Sequence, residues 1–338
     1  MVNILMSKTT LVIFYSEGQP NDAALDLSAN YQMVRDAAED EVDAIEAYTP
    51  SRLKAEGYGD FVKEYDNEGL VRNNPGMSKI GFCAWRPLIL LLQLNKVNDG
   101  DVVAYRDCNI SKYPKLADYD DFAKITRNLL GLCGFDIFVP HHHSAIQNSA
   151  LTKTNVLREL GEDHPFSYSA PALTANLIVL RKSPVSIQFL NEWLEACQNE
   201  EWINGEQYGD LTSDFSHSTS EQALMNVILA NWIRNRTHNI PYLFPRVYLQ
   251  GSRDIHRIYL YQDLSHLGLL EQVRYKLAPP KIYQLELSMR GLLKYISDFA
   301  LFFLAKKKYQ LIKFIKKFYK SDNLRFEYIK LKNRIGKA

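Results

Sequence analysis

The sequence predicts an α/β protein, with a mixed sheet flanked by helices and a basic helical extension at the C-terminus. The apolar segments Thr9–Ser16 and Val102–Tyr105 have the length and composition of buried strands, and helical patterns separate them along the chain. The second segment ends at once in two polar side chains, Asp107 and Asn109, which stand one residue apart. Ligands of open α/β sheets bind at the carboxyl ends of the strands, so this point is the first candidate site.

The first hundred residues alternate between apolar segments and turn-forming residues. Residues 17–22 contain Gly, Pro, Asn and Asp and predict a loop after the first strand. Pro87 suits the first turn of a helix, and the apolar run behind it continues that helix toward an Asn-Asp-Gly turn at residues 98–100. The other predicted elements here are a helix at Asn30–Ala38, a strand at Asp43–Tyr48 and a helix at Pro50–Gly57.

Helices and strands continue to alternate after Asn109. A short strand, Asp136–Pro140, leads directly into His141-His-His143. Neighbouring side chains of an extended segment point in opposite directions, which argues against chelation of one ion, although the rim position allows one histidine to contact phosphate or acceptor. The remaining predicted elements are a helix at Asp120–Gly131, a helix at Thr152–Gly161 with Thr152 near its N-cap, a strand at Ala172–Leu180, an amphipathic helix at Ser183–Cys197, and a helix capped by Ser218 or Thr219 with Glu221 in its first turn.

The end of the second apolar strand suits a hard divalent cation. Asp107 supplies a carboxylate and Asn109 an amide carbonyl. Oxygen ligands of this kind are the ones that Mg²⁺ and Mn²⁺ take in proteins. The pattern therefore predicts a Mn²⁺ or Mg²⁺ site held by Asp107 and Asn109.

The segment around this site resembles a family. Its pattern is G-F-x-x-W-R-P from Gly81 to Pro87, then an apolar helix, then D-G-D-V-V-x-Y-x-D-x-N ending at Asn109. This block is similar to that of GT-A glycosyltransferases that build bacterial polysaccharides and lipopolysaccharides, and Asn109 stands where their Asp-X-Asp signature has a second carboxylate. The resemblance is strong over residues 81–114, thinner over 9–250 and absent from the last fifty-odd residues. It implies a Rossmann-like GT-A catalytic domain at residues 1–260 and a separate helical region at 261–338.

The resemblance also implies which residues bind the nucleotide-sugar donor, most simply a UDP-hexose. Residues at the end of the first strand would contact the base and ribose, arginines would face the diphosphate, and the carboxylate would hold the metal. These donor and cofactor contacts are Tyr15, Ser16, Arg86, Arg106 and Asp107. The alternative for Tyr15 and Ser16 is that they only form an ordinary strand end and bind no donor. The alternative for Arg86 is that it packs on Trp85 or pairs with a carboxylate instead of facing the diphosphate.

A second segment carries the expected catalytic chemistry. The residues from His217 to Gln222 resemble the H-x-x-D-Q stretch of the related enzymes, with Glu221 in place of the aspartate. The resemblance implies that Glu221 is the base of an inverting enzyme, or that it steadies the cationic centre or acts as nucleophile in a retaining one, with Gln222 beside it. The alternative is an acidic residue that only stabilises the first turn of a helix. The expected acceptor contacts are Thr174, Asn176 and His217.

Charge is distributed unevenly along the chain. The whole protein carries a net charge of +1, yet residues 281–338 contain 15 basic and 4 acidic side chains. In Leu311–Lys320, Leu and Phe residues share one helical face and lysines another, which is typical of a helix that lies on an anionic membrane surface. The alternative is a set of helices docked on the catalytic domain. No nucleic-acid fold signature accompanies these charges, so we expect no nucleic-acid partner.

Cysteine spacing and hydropathy predict the compartment. Four cysteines stand far apart without a C-x-x-C pair, which indicates reduced thiols rather than disulfides or zinc. The N-terminus lacks a signal-peptide pattern, and no run of 18 apolar residues occurs. We therefore expect a cytoplasmic enzyme, peripheral on the inner membrane, that transfers sugar to a lipid-linked or polysaccharide acceptor. A non-catalytic nucleotide- or sugar-binding module of a membrane polysaccharide-assembly complex is the alternative.

Overall fold

A computed structural model gives the three-dimensional structure of the protein. It describes residues 7–17, 27–63, 80–108, 119, 122–133, 136–140, 146–204, 210–235, 246–247 and 260–261. Several predictions concern residues outside these ranges: the metal ligand Asn109, His141–His143, and the separate helical region with its basic amphipathic helix.

The described residues form α-helices, β-strands and two short 3₁₀ helices. The strands are β1 (Thr9–Phe14), β2 (Ala44–Tyr48), β3 (Val102–Arg106), β4 (Ile137–Phe138), β5 (Leu177–Arg181), β6 (Arg246–Val247) and β7 (Leu260–Tyr261). The helices are α1 (Leu27–Ala38), α2 (Pro50–Ala55), α3 (Trp85–Lys96), α4 (Phe122–Cys133), α5 (Asn148–Leu151), α6 (Thr154–Glu159), α7 (Pro165–Ser169), α8 (Pro184–Ala196), α9 (Glu200–Ile203) and α10 (Glu221–Asn235).

Five strands form one open mixed sheet in the order β2-β1-β3-β5-β4, so the predicted α/β class with helices flanking a mixed sheet is confirmed. Strand β1 pairs in parallel with both β2 and β3, whereas β5 runs antiparallel to β3 and β4. Because Leu177 at the start of β5 pairs with Arg106 at the end of β3, the residues just before β5 lie at the carboxyl edge of the parallel strands. Strands β6 and β7 pair separately.

Apolar side chains cover the sheet on both faces, which explains why β1 and β3 are buried at every position. Alternation along the strands sends their side chains to opposite layers. One layer contains Val12, Phe14, Val103 and Tyr105 together with residues of α3, α8 and α10. The other contains Leu11, Ile13, Val102 and Ala104 together with residues of α1 and α4.

A strained turn at residues 81–83 immediately precedes α3. Gly81, Phe82 and Cys83 all have positive φ, at 56°, 47° and 63°. A Cβ on Gly81 would lie 1.9 Å from the carbonyl oxygen of Phe61, so only glycine fits at this position. Behind the turn, the Trp85 ring stacks on Phe14 at a centroid distance of 3.7 Å. The turn and this stack together fix the start of α3.

Several predicted element boundaries and caps differ from the structure. β5 begins at Leu177 and not at Ala172, because the main chain before it bonds to loops and side chains rather than to a strand: Ala172 N donates to Ile146 O at 2.8 Å. Helix α6 begins at Thr154 and not at Thr152, and Lys153 is its N-cap. At α10 the Ser218 hydroxyl accepts from Ser220 N at 3.3 Å, outside the helix.

Within the part of the chain that the structure describes, no helix is long and apolar enough to cross a membrane.

Candidate functional site

The sheet reverses its order of connection between β1 and β3. From β1 the chain passes to β2 on one side, and it then returns to β3 on the other side of β1. The carboxyl ends of the two strands are joined, since Cys108 Sγ donates to Phe14 O at 3.2 Å. Such a switch point in an open α/β sheet forms a crevice where ligands bind. Tyr15, Ser16 and Asp107 all lie there, immediately after their strands.

One carboxylate oxygen of Asp107 accepts the hydrogen bonds that the described residues donate to this side chain. Its Oδ1 accepts from the Tyr105 hydroxyl at 2.5 Å and from Arg86 Nη2 at 3.5 Å. Among the described residues, none donates to its Oδ2, and the side chain is 26% exposed. Two donors on one oxygen therefore orient the carboxylate.

Arg86 connects the two predicted carboxylates. Its guanidinium pairs with Glu221 through Nη1 and with Asp107 through Nη2, although Arg86 is only 7% exposed. It also lies 5.1 Å from the ring centroids of both Trp85 and Tyr105. The two alternatives for Arg86, packing on Trp85 and pairing with a carboxylate, thus occur together. We call Arg86, Tyr105, Asp107 and Glu221 the Arg86 cluster.

The electrostatics of the cluster follow from burial and pairing. Burial works to lower the pKa of Arg86, but Tyr105, Cys83 and Asp107 outweigh it and raise that pKa above its ordinary value. Burial also raises the pKa of Tyr105 well above 10.0; Arg86 opposes this shift and Asp107 adds to it. Arg86 therefore stays charged, and Tyr105 stays a neutral hydrogen-bond donor.

Hydrogen bonds and ion pairs connect four segments of the chain in a closed loop of contacts, which we call the circuit. Asp107 N donates to Asn176 O at 3.0 Å, and the next residue back, Ala175, donates its N–H to Gln222 Oε1 at 2.9 Å. Gln222 adjoins Glu221 in the first turn of α10, and Arg86 completes the path to Asp107. Four segments that are distant in sequence thereby hold one another at the carboxyl edge of the sheet. Gln222 uses its side-chain oxygen to position the residues before β5.

A hydrogen bond from α8 fixes the start of α10. Trp193 Nε1, on α8, donates to Glu221 O at 2.7 Å, and Ser220 has a positive φ of 50°. Glu221 itself is 3% exposed. Trp193 is a site residue that sequence reasoning missed, because its amphipathic pattern indicates only a core position. Tyr105 was also given no role, although its place two residues before Asp107 puts both side chains on one strand face.

The end of β1 combines an aromatic pair with a buried hydroxyl. The Tyr15 ring stacks on Tyr31 of α1, with centroids 4.6 Å apart. Burial, aided by Tyr31 and Glu17, raises the pKa of Tyr15. Ser16 is 1% exposed, and its hydroxyl has no partner in the described part of the chain. The predicted donor contacts of β1 are thus a stacked ring and an unsatisfied hydroxyl at the switch point.

Three predicted site residues lie apart from the circuit. Arg106 is buried and, by strand alternation, belongs to the sheet face opposite Tyr105 and Arg86. Thr174 is half-buried, and its N–H donates to Pro140 O at 2.8 Å. His217 is half-buried four residues before Glu221, with Nδ1 at 3.2 Å from the Ser216 hydroxyl.

The residues present suit a cation that takes some of its ligands from the protein and the others from substrate and water. Among the described residues, no three His, Cys, Asp or Glu side chains form a metal-binding group. Mg²⁺, however, is commonly bound through one or two carboxylates plus phosphate and water, and Asp107 offers a carboxylate. Asn176, bonded to Asp107 through the main chain and 9% exposed, carries an amide oxygen without a partner in the described part of the chain. A carboxylate oxygen and an amide oxygen that both lack a partner among the described residues are ligands of the kind that such a site takes.

Comparison with known proteins yields no match: no family model, no curated protein and no solved structure is significantly similar to the chain.

Proposed function

We propose that the protein is a metal-dependent GT-A glycosyltransferase that moves a sugar from a nucleotide-sugar donor, a UDP-hexose in the simplest case, to a glycan or lipid-linked acceptor. One observation carries the proposal. Asp107 and Glu221, two carboxylates predicted from separate segments of the sequence, are both paired with the predicted Arg86. The cluster lies at the carboxyl edge of an open α/β sheet, where such folds bind their ligands.

Each residue then has a chemical role. Asp107 and Asn109 hold the divalent cation, whose chemistry when bound is to neutralise the charge that builds on the departing diphosphate. Tyr105 orients Asp107, and Arg86 supplies positive charge beside it. Glu221 pairs with Arg86 and acts on the acceptor hydroxyl as a base, or stabilises the cationic sugar centre.

The nucleotide binds at the other side of the switch point in this proposal. Tyr15 and Ser16 follow β1, next to the strand that carries Asp107. A stacked aromatic pair offers a flat apolar face to a base, and the buried Ser16 hydroxyl lacks a partner in the described part of the chain. The basic C-terminal region would bring the enzyme to an anionic membrane surface, where lipid-linked acceptors lie.

The proposal is tested by a thermal-shift screen of UDP-, GDP-, CMP- and dTDP-sugars, with and without Mn²⁺. We expect one donor to raise the melting temperature only when the cation is present, because a ligand that binds the folded state stabilises it. Asp107→Asn should abolish this rise. Asp99→Asn is the matched control, since Asp99 precedes β3 at its other end and is 93% exposed. No shift with any donor in folded protein would contradict the proposal.

A second candidate follows from the burial of Glu221. A carboxylate that is 3% exposed and paired with a buried arginine also has the geometry of a structural ion pair. The protein would then be a non-catalytic nucleotide- or sugar-binding module tethered to a membrane polysaccharide-assembly complex. Binding of a donor without release of nucleoside diphosphate, under any cation, would favour this candidate.

A further inference from the structure

The two edges of the five-stranded sheet differ in how they are protected. The strand order makes β4 one edge and β2 the other. Strand β4 has two residues, both fully buried, whereas β2 has five residues, of which only Tyr48 is buried. An exposed edge strand presents unpaired main-chain N–H and C=O groups, and native proteins normally keep such edges short or covered. The edge at β2 is therefore the one that is exposed to another strand.

Alternation along β2 identifies the main-chain groups on its outer side. Tyr15 N donates to Tyr48 O at 3.2 Å, so the C=O of Tyr48 faces β1. Main-chain groups of successive strand residues point to opposite sides, so those of Ala47 and Ile45 face away from β1. Ala47 O has this direction, since it accepts from Arg52 Nη1 at 2.6 Å. Three outer groups, the N–H of Ala47 and both main-chain groups of Ile45, have no partner among the described residues.

The segment that leads into β2 is strongly acidic. Residues 36–46 contain six acidic and no basic side chains. The exposed acids of this segment are Asp36, Glu39, Asp40 and Asp43. Because like charges repel, the segment opposes edge-to-edge pairing with a second copy of the chain. The same charges favour an incoming strand that carries lysine or arginine.

Arg52 shows how a basic side chain binds to this strand. Besides its bond to Ala47 O, its Nη1 donates to Glu46 Oε2 at 3.1 Å. A main-chain carbonyl and a carboxylate of β2 thus bind one guanidinium together. This guanidinium lies at the carboxyl end of the strand, 4.1 Å from the centroid of the Tyr48 ring. Residues 43–45, at the other end, pair with no lysine or arginine among the described residues.

We propose that the outer edge of β2 is a docking surface for a partner protein, which binds through an extended segment with a basic side chain at every second position. The segment adds a strand to the sheet. Its main chain bonds to Ile45 and Ala47, and its basic side chains, which alternation places on one face, lie beside the acids of residues 36–46. The surface goes beyond the proposed transferase function, because β1 separates β2 from the strand that Asp107 follows.

The first test uses a capped peptide of about eight residues in which lysine and valine alternate. Fluorescence anisotropy measures its affinity for the full-length protein. One control peptide has glutamate in place of lysine, and the other keeps the lysines but has methylated main-chain nitrogens. We expect the lysine peptide to bind about tenfold more tightly than either control, because the controls lose the charge attraction or the main-chain donors. Absence of binding, or equal binding of the methylated peptide, would overturn the proposal.

Ile45→Pro tests the main-chain contact from the side of the protein. Proline removes the outer N–H of this residue and leaves the bonds between β2 and β1 in place, as edge strands tolerate. We expect the lysine peptide to bind about 3- to 10-fold more weakly, the effect of one hydrogen bond. Ile45→Val keeps the N–H and should bind like the wild type. Wild-type affinity in a folded Ile45→Pro variant would contradict the strand addition.

A charge variant leaves the strand itself unchanged. Glu39→Gln with Asp40→Asn removes two exposed charges and should weaken binding of the lysine peptide about threefold, with a smaller dependence on salt. The matched control is Glu195→Gln with Glu200→Gln, which removes two exposed charges elsewhere. Equal losses in the two double variants would mean unspecific attraction and would overturn the docking surface.

Amide hydrogen exchange of the wild type locates the bound peptide directly, and it decides the question if Ile45→Pro does not fold. Saturation with the lysine peptide should slow exchange at Ile45 and Ala47, whose N–H groups face outward. Exchange at Glu46, whose N–H faces β1, should stay unchanged. No protection at Ile45 and Ala47 would overturn the proposal. Protection of these amides that rises with protein concentration, without peptide, would assign the edge to a second copy instead.

Discussion

Two neighbouring regions at the start of α10 bury polar groups in opposite ways. In the Arg86 cluster, charged side chains are buried and pair with one another: Arg86 contacts both Glu221 and Asp107. Nearby, the side-chain oxygens of Thr152, Thr154 and Ser220 are buried without partners in the described part of the chain. The energetic reason is that an unpaired buried charge costs far more than an unpaired hydroxyl. A folded protein can therefore tolerate a few unsatisfied buried hydroxyls, but it must pair its buried charges.

Arg86→Ala should have the largest effect on stability, because it leaves Glu221 charged, buried and unpaired. We expect a loss of about 3–5 kcal/mol in the free energy of unfolding, measured by urea denaturation. The exposed pair of Lys63 and Asp60 supplies the control: Lys63→Ala should cost less than about 1 kcal/mol. Equal costs for the two variants would mean that burial does not make the Arg86 ion pairs more important for stability than an exposed ion pair.

Replacing both members of the buried pair should cost less than the two single changes together. In Arg86→Met with Glu221→Leu, neither charge is left without its partner. A double-mutant cycle should give a coupling energy of about 1–3 kcal/mol between the positions. Additive costs would show that Glu221 is solvated in solution, contrary to its 3% exposure.

Gln222→Ala should lower stability by about 1–2 kcal/mol, because Ala175 N loses its acceptor at the edge of the sheet. Gln222→Glu keeps an acceptor oxygen at the same position and should recover most of the loss. Urea denaturation of the two variants measures this directly. If glutamate fails to recover stability, Gln222 acts through its amide nitrogen and not through Ala175.

The smallest effect concerns alkaline pH. The tyrosines of the unfolded chain titrate near pH 10.0, whereas burial keeps Tyr105 protonated above that pH in the folded state. Its contribution to stability is therefore complete below pH 10 and is lost as the pH rises through the raised pKa of Tyr105. Tyr105→Phe should flatten the pH dependence by at most about 1.4 kcal/mol per pH unit in that range. An unchanged slope would mean that Tyr105 is accessible to water.

Much of the sheet could be predicted because its strands are covered on both faces. The buried strands β1 and β3 contain the apolar runs Leu11–Phe14 and Val102–Tyr105, which the sequence displays directly. The position of Asp107 at a strand end follows from the same run. Pairing of Arg86 with a carboxylate was one of two alternatives for this side chain, and its packing on Trp85 was the other; the structure contains both.

Other features depend on contacts between distant segments, which no local pattern encodes. The residues from Ala172 to Asn176 look like part of a strand, but their main chain bonds to Ile146, Pro140 and Gln222 instead of a neighbouring strand. The helix predicted from Thr152 begins at Thr154, because Thr152 ends the preceding helix α5. Which acceptor or donor a polar side chain meets is decided by the tertiary fold.

The most direct test of the account is turnover of the donor identified by the thermal-shift screen. Release of nucleoside diphosphate is measured with acceptor and Mn²⁺ for the wild type, Asp107→Asn and Glu221→Gln, with circular dichroism to confirm folding. The account predicts cation-dependent release by the wild type, none by Asp107→Asn because donor no longer binds, and none by Glu221→Gln although donor still binds. Release that persists in Glu221→Gln, or that requires no cation, would contradict it.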